Sequence, residues 1–213
     1  MRWAGWAIAL KKTLRASEQD RVDVKARREQ WSAEQTGWDP HKLVFVDESG
    51  AKTNMTRLRG RAREGARVLD CAPHGHWCTT TLLGALRLDG TSACMSVEGA
   101  TDREVFHAYV RHVLVPSLRP GDIVVLDNLA AHADSRARQL IEAVGARLLF
   151  LPPYSPDFNP IEKMWSKIKA ALRSAKARTT KALQVAIREA LASITAQDAN
   201  GWFQSCGYTA SHS

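Results

Sequence analysis

Short runs of consecutive apolar residues alternate along this chain with longer stretches of helical periodicity. Leu43-Val-Phe-Val, up to Asp47, reads as a buried strand, and Glu48-Ser-Gly is expected to turn the chain after it. Thr79 to Leu88 and Ser92 to Val97 read as two strands joined at Asp89-Gly90, a hairpin signal. Ile123-Val-Val-Leu shows no alternation at all, which suits a central parallel strand covered on both faces. Arg147 to Leu151 is a further strand, stopped by Pro152-Pro153.

Helices fill the intervals. Leu14 to Trp31 is rich in helix formers but poor in apolar positions. Thr101, with Glu104 three residues on, predicts a capping box and a helix reaching about Leu114. Ala133 to Val144 predicts another, closed by Gly145. Asn159-Pro160 predicts the start of a long helix, with Asn159 as its cap and proline at the first turn. Leu183, Ile187, Leu191 and Ile194 mark a last helix over Lys181 to Ile194.

The order is β-β-β-α-β-α-β-α. An antiparallel opening followed by strand–helix alternation predicts an α/β fold, a mixed sheet with helices on both faces in the ribonuclease-H-like arrangement. Three parts are expected: a helical linker or appendage over residues 1–40, a sheet domain over 41–178, and a C-terminal helical extension over 179–213.

Three acids stand at the ends of these elements. Asp47 and Asp127 terminate apolar strands, and Glu162 lies in the first turn of the long helix. A carboxylate at the tip of a buried strand is costly unless something pairs with it. Three such groups from rigid elements can hold divalent ions over a phosphodiester, where two ions about 3.5–4 Å apart neutralise both the entering and the leaving oxygens. Mg²⁺ is the natural ion, being hard, oxygen-seeking and partly hydrated when bound. Each acid also has a local explanation. Asp47 caps a turn, Asp127 begins an Asx-turn, and Glu162 completes a capping box with Asn159. Asn128 and His132 follow Asp127 closely enough to reach phosphate or a metal-bound water, although a helix-start hydrogen bond explains His132 as well, and Asn159 is a further near-site candidate. Glu48 is set aside, because on an extended strand it points away from Asp47.

Charge adds a partner. Lys and Arg outnumber Asp and Glu by 30 to 22, a net +8, which favours a polyanion. Arg57, Arg59, Arg61 and Arg63 form a dense cluster with glycines between them, and on the long helix Lys169 and Arg173 share the flank of Glu162. These are the candidate DNA contacts, while Lys163 and Lys167 fall on the other side. Trp165 lies within the apolar stripe and is expected in the core rather than as a base-stacking platform. Cys71 to Cys78 brings two cysteines close to His74 and His76, but too crowded for usual zinc spacings, and no zinc is expected. The four cysteines form no disulfide framework and no apolar run is long enough to span a bilayer, so the expectation is a cytoplasmic, DNA-associated protein without a membrane partner.

Val44-Phe-Val-Asp-Glu-Ser-Gly, Leu126-Asp-Asn-Leu-Ala-Ala-His and Leu151-Pro-Pro-Tyr-Ser-Pro-Asp-Phe-Asn-Pro-Ile-Glu, with 34 residues between the second and third acids, resemble the bacterial insertion-sequence branch of the mariner transposase superfamily. That resemblance covers roughly residue 10 to the end. It implies a ribonuclease-H-like DDE endonuclease domain, integrase-like in its chemistry, with Asp47, Asp127 and Glu162 as metal ligands for Mg²⁺ (or Mn²⁺). It implies cleavage at transposon ends and strand transfer into target DNA, typically at a TA dinucleotide, by a possible homodimer. Such transposases also carry an upstream helix-turn-helix region that recognises the ends; this chain begins near the junction, so that part is expected to be missing from it. Two other readings are a non-catalytic DNA-binding or regulatory fragment and another ribonuclease-H-like nuclease acting on RNA:DNA hybrids.

Overall fold

The structure, a computed structural model, describes residues 16–57, 60, 62–63, 66–71, 73, 75–90, 92–127 and 135–209. Five strands form one sheet: β1 (Leu43–Lys52), β2 (Thr79–Arg87), β3 (Ser92–Glu98), β4 (Ile123–Leu126) and β5 (Arg147–Phe150), in the order β3-β2-β1-β4-β5. β1 to β3 are antiparallel neighbours, whereas β4 and β5 run parallel to β1 and to each other. The mixed sheet expected from element order is therefore present.

β1 is longer than the sequence implied. Glu48-Ser49-Gly50 does not turn but continues to Lys52, because every residue from Val44 to Lys52 has a partner on β2, from Arg87 to Thr79. The ladder satisfies backbone groups that a turn would have left to solvent.

Helices cover both faces, and alternation along the strands decides which side chain meets which helix. Leu43, Phe45 and Ala51 of β1, with Ile123 and Val125 of β4, face one layer. That layer holds α4 (Ile161–Ala175), α5 (Thr180–Ala192), α6 (Ala196–Ser205) and Trp31 of α1 (Val22–Glu34). Val44, Val46, Val124 and Leu126 face the opposite layer, α2 (Arg103–Tyr109) and α3 (Ser135–Ala143).

α2 continues through a wider turn over Val110–Leu114. Its cap is Asp102, whose side chain accepts from the Val105 N–H, one position past the expected Thr101. α6 lies beyond the helices that apolar spacing predicts: its apolar positions are few, yet Thr195 and Asp198 form a capping box at its start and it buries Ala199 and Phe203. At the opposite end of the sheet from the acids, the buried Arg87 guanidinium donates to the Asp122 carboxylate and, at 2.9 Å, to the Ser117 carbonyl, tying β2 to the entry of β4. Among the described residues no helix is long and apolar enough to cross a membrane.

Candidate active site

Two of the three acids are placed by β1 and β4. Val44 pairs with Val124 and Phe45 with Val125. That ladder ends there, with β4 stopping at Leu126; Asp127 directly follows β4, and Asp47 lies two residues beyond Phe45 on β1. Asp47 continues the alternation of Phe45, so it belongs to the face covered by α4. Glu48 falls on the other face. Asp47 is 7% exposed and Asp127 is half-buried at the end of its strand.

α4 supplies the third. Pro160 precedes its first residue with φ −60°, a helical value fixed by the ring. Glu162 is exposed in the first turn. It shares with Asp127 a cavity of about 460 Å³, also lined by Leu151 to Pro156 and by Asn159. One turn along the helix, Trp165 donates its indole N–H to the Asp47 carboxylate at 3.2 Å. The three acids therefore gather where β4 ends beside α4: Glu162 shares a cavity with Asp127 and stands one helical turn from Trp165, the residue bonded to Asp47. They are not drawn into a tight cluster, since among the described residues no three Asp, Glu, His or Cys side chains are close enough to hold one ion.

The capping explanation for Glu162 does not apply. The Asn159 side chain makes no cap hydrogen bond, and only its backbone carbonyl meets the Glu162 N–H, at 3.3 Å. Asn159 is instead 4% exposed with its Oδ1 unpartnered. The cavity thus offers two carboxylates and a buried orphan carbonyl oxygen, a donor set that fits a hard divalent cation. Asn128 and His132 lie outside the described residues, as do Arg59 and Arg61.

Three contributors carry no signal in the sequence motifs. Gly84 is opposite Asp47 on β2, and a Cβ there would lie 2.7 Å from Trp165 Cη2 and 2.9 Å from Cys94 Sγ. The glycine lets the indole approach the strand closely and reach Asp47, and a glycine inside a strand is the available hint of such close approach. Arg28, from α1, donates to both Asp157 oxygens at 2.9 and 2.7 Å and to Ser155 Oγ at 2.7 Å, and stacks on Phe158. Gln19 donates to the Tyr154 carbonyl at 2.6 Å. Tyr154, on the cavity wall, holds a left-handed backbone with φ 56°, a conformation costly for a bulky residue. The segment carrying Gln19 and α1 is therefore pinned to the loop that precedes α4. Tyr208 strengthens the join, accepting from Trp31 Nε1 at 3.0 Å and donating to the Phe158 carbonyl at 2.8 Å.

The basic residues divide. Lys163 donates to Ser205 and Lys167 to Asp198 and the Ser193 carbonyl, so both are engaged with α6 and its approach. Lys169 and Arg173 are half-buried and, among the described residues, make no hydrogen bond or ion pair; they follow Glu162 along α4. Arg57 donates to Ser174 Oγ at 3.2 Å near the far end of the same helix, and Arg63 is exposed.

Residues 42–184 match the family model described as DDE superfamily endonuclease. The chain belongs to that family. It is 25% identical over 173 residues to the Tcb1 transposable-element transposase of Caenorhabditis briggsae, covering 73% of this chain and 63% of that protein. Solved structures share the fold. The Mos1 transposase paired-end complex with the left transposon end superposes with a TM-score of 0.72 at 14% identity, over 93% of this chain and 63% of that one. The Mos1 catalytic domain with Raltegravir and Mn gives 0.60 at 13% identity, over 91% and 92% of the two chains. The fold is thus the ribonuclease-H-like one expected, and the chain spans less than two thirds of the length of the first of these relatives.

Proposed function

We propose that this chain is the catalytic part of a transposase, which cuts DNA at transposon ends and transfers the strand into target DNA, at TA sites, with Asp47, Asp127 and Glu162 as ligands of two Mg²⁺ ions or Mn²⁺ in their place. The observation that supports the reading is that α4 meets both aspartates: its Trp165 bonds Asp47 and its Glu162 shares a cavity with Asp127. Membership of the DDE endonuclease family supports it, as do mariner Mos1 paired-end complexes solved with Mg and with Mn. Double-stranded DNA, as end and as target, is the proposed partner, and those paired-end assemblies make two copies the proposed working unit.

In such a reaction water or a 3′-hydroxyl attacks the phosphorus in line, its P–O bond forms, and the bond to the leaving 3′-oxygen breaks. Divalent ions, when bound, supply charge neutralisation at both oxygens. The protein's own share is to hold the ligands still. The β1–β2 ladder holds Asp47, which the Trp165 N–H orients, Asp127 follows the end of β4, and the α1-braced loop fixes the start of α4. Lys169 and Arg173 are placed to track the DNA backbone away from Glu162 by charge.

The purified chain, offered a duplex carrying the transposon end, is expected to nick or join it only with Mg²⁺ or Mn²⁺. Asp127→Asn removes a charged ligand without changing shape and is expected to abolish the reaction while leaving the circular dichroism spectrum intact. Equal cutting by the substituted protein would overturn the assignment.

A further inference from the structure

The segment leading into α4 contains a polar side chain that packing does not account for. Asn159 is 4% exposed, lines the cavity shared by Asp127 and Glu162, and leaves Oδ1 without a partner. Native proteins rarely bury an amide oxygen with nothing opposite it, so such an atom calls for a donor or a cation. Capping would be the usual use of an asparagine at this point, but the α4 N-terminus receives no side-chain cap. Pro160 follows directly, and its ring fixes the backbone at the entry to α4.

We infer that Asn159 supplies an uncharged oxygen ligand to the divalent ion held between Asp127 and Glu162. The inference rests on the reading of those acids proposed above. Hard cations accept asparagine carbonyls alongside carboxylates, and protein kinases hold one of their Mg²⁺ ions with a catalytic-loop asparagine. Mg²⁺ demands six ligands, and few carboxylates leave positions for neutral oxygens. A neutral ligand also adds no negative charge against an incoming phosphate, which a further carboxylate would.

The test is Mn²⁺ binding by the chain without DNA, followed by electron paramagnetic resonance, for the parent, Asn159→Ala, Asn159→Asp and Glu162→Gln. Asn159→Ala is expected to weaken Mn²⁺ binding roughly tenfold. Asn159→Asp keeps an oxygen at the same place and is expected to bind at least as tightly as the parent. Parent-like binding by Asn159→Ala beside weakened binding by Glu162→Gln would overturn the role of Asn159 and leave the acids standing. Parent-like binding by both would sink the reading of the acids and this inference with it. Should Asn159→Ala fail to fold, Asn159→Asp decides alone: binding weaker than the parent's contradicts the inference.

Discussion

Gly84 and Trp165 show how a single missing Cβ supports a candidate catalytic acid. The indole fills the space over Gly84 and reaches Asp47 with its N–H. A buried indole N–H seeks a partner, and a buried carboxylate seeks a donor, so one bond serves both. Cys94 completes the pocket as a packing group, for burial pushes its thiol up to about 11, far from a reactive thiolate. Gly84→Ala forces Trp165 or Cys94 to move, and overpacking of this kind costs about 1–3 kcal/mol. Chemical denaturation should show that loss, and DNA nicking should fall further than stability does, because Asp47 loses its orienting donor. A fully stable variant with unchanged nicking would mean that the indole contributes nothing to Asp47.

At the scale of elements, the notable feature is how α1 is used. Its apolar positions are too sparse to predict a packed helix, yet it docks through Arg28 and Trp31, with Gln19 just ahead of it, and two of these three are polar. Burial raises the Asp157 carboxyl, but the hydrogen bonds and charge of Arg28 outweigh this and hold it below its ordinary value. With a depressed folded value, the contribution of the pair is fully present above the unfolded carboxylate pKa of about 3.9 and is lost as pH falls through the folded one. Arg28→Ala is therefore expected to lower stability by about 1–2 kcal/mol at pH 7, a figure kept modest because Asp157 is half exposed. At pH 3 the gap between parent and variant should narrow. A gap independent of pH would assign the whole effect to the stacking of Arg28 on Phe158. Hydrophobic patterning could not foresee this docking, because it records what an element buries and says little about the hydrogen bonds that hold a polar one. The same blindness explains α6, whose capping box at Thr195 and Asp198 is a better signal than its few apolar residues. β1 runs past Gly50 for a related reason: the local turn signal is overridden by a ladder with β2, a strand distant in sequence.

For the whole molecule, the mixed sheet with helices on both faces was legible, because an unalternating run such as Ile123–Leu126 suits a central strand covered on both sides; the strand order was not, since it depends on pairing. The three acids were legible because two follow apolar runs and the third opens a helix; that Asp47 lies inside a longer β1 and bonds Trp165 was not, since both are tertiary facts. The basic surface is the remaining whole-molecule property. Lys169 and Arg173 are the cations on the Glu162 flank of α4, and removing one cation from a DNA phosphate should reduce the salt slope of binding by about 0.9. Substituting both with alanine is expected to lower that slope by about 1.8, measured by fluorescence anisotropy across a salt series. An unchanged slope would move the DNA path off this helix.

The central claim is that carboxylates on β1, just after β4 and on α4 line one divalent-metal site, and the most direct measurement is localised backbone cleavage by Fe²⁺ placed in the Mg²⁺ site. Peroxide and ascorbate should then cut the chain at three places, near Asp47, Asp127 and Glu162, and excess Mg²⁺ should suppress all three together. Cuts at only one of them, or centred on Cys71 to Cys78 instead, would contradict it.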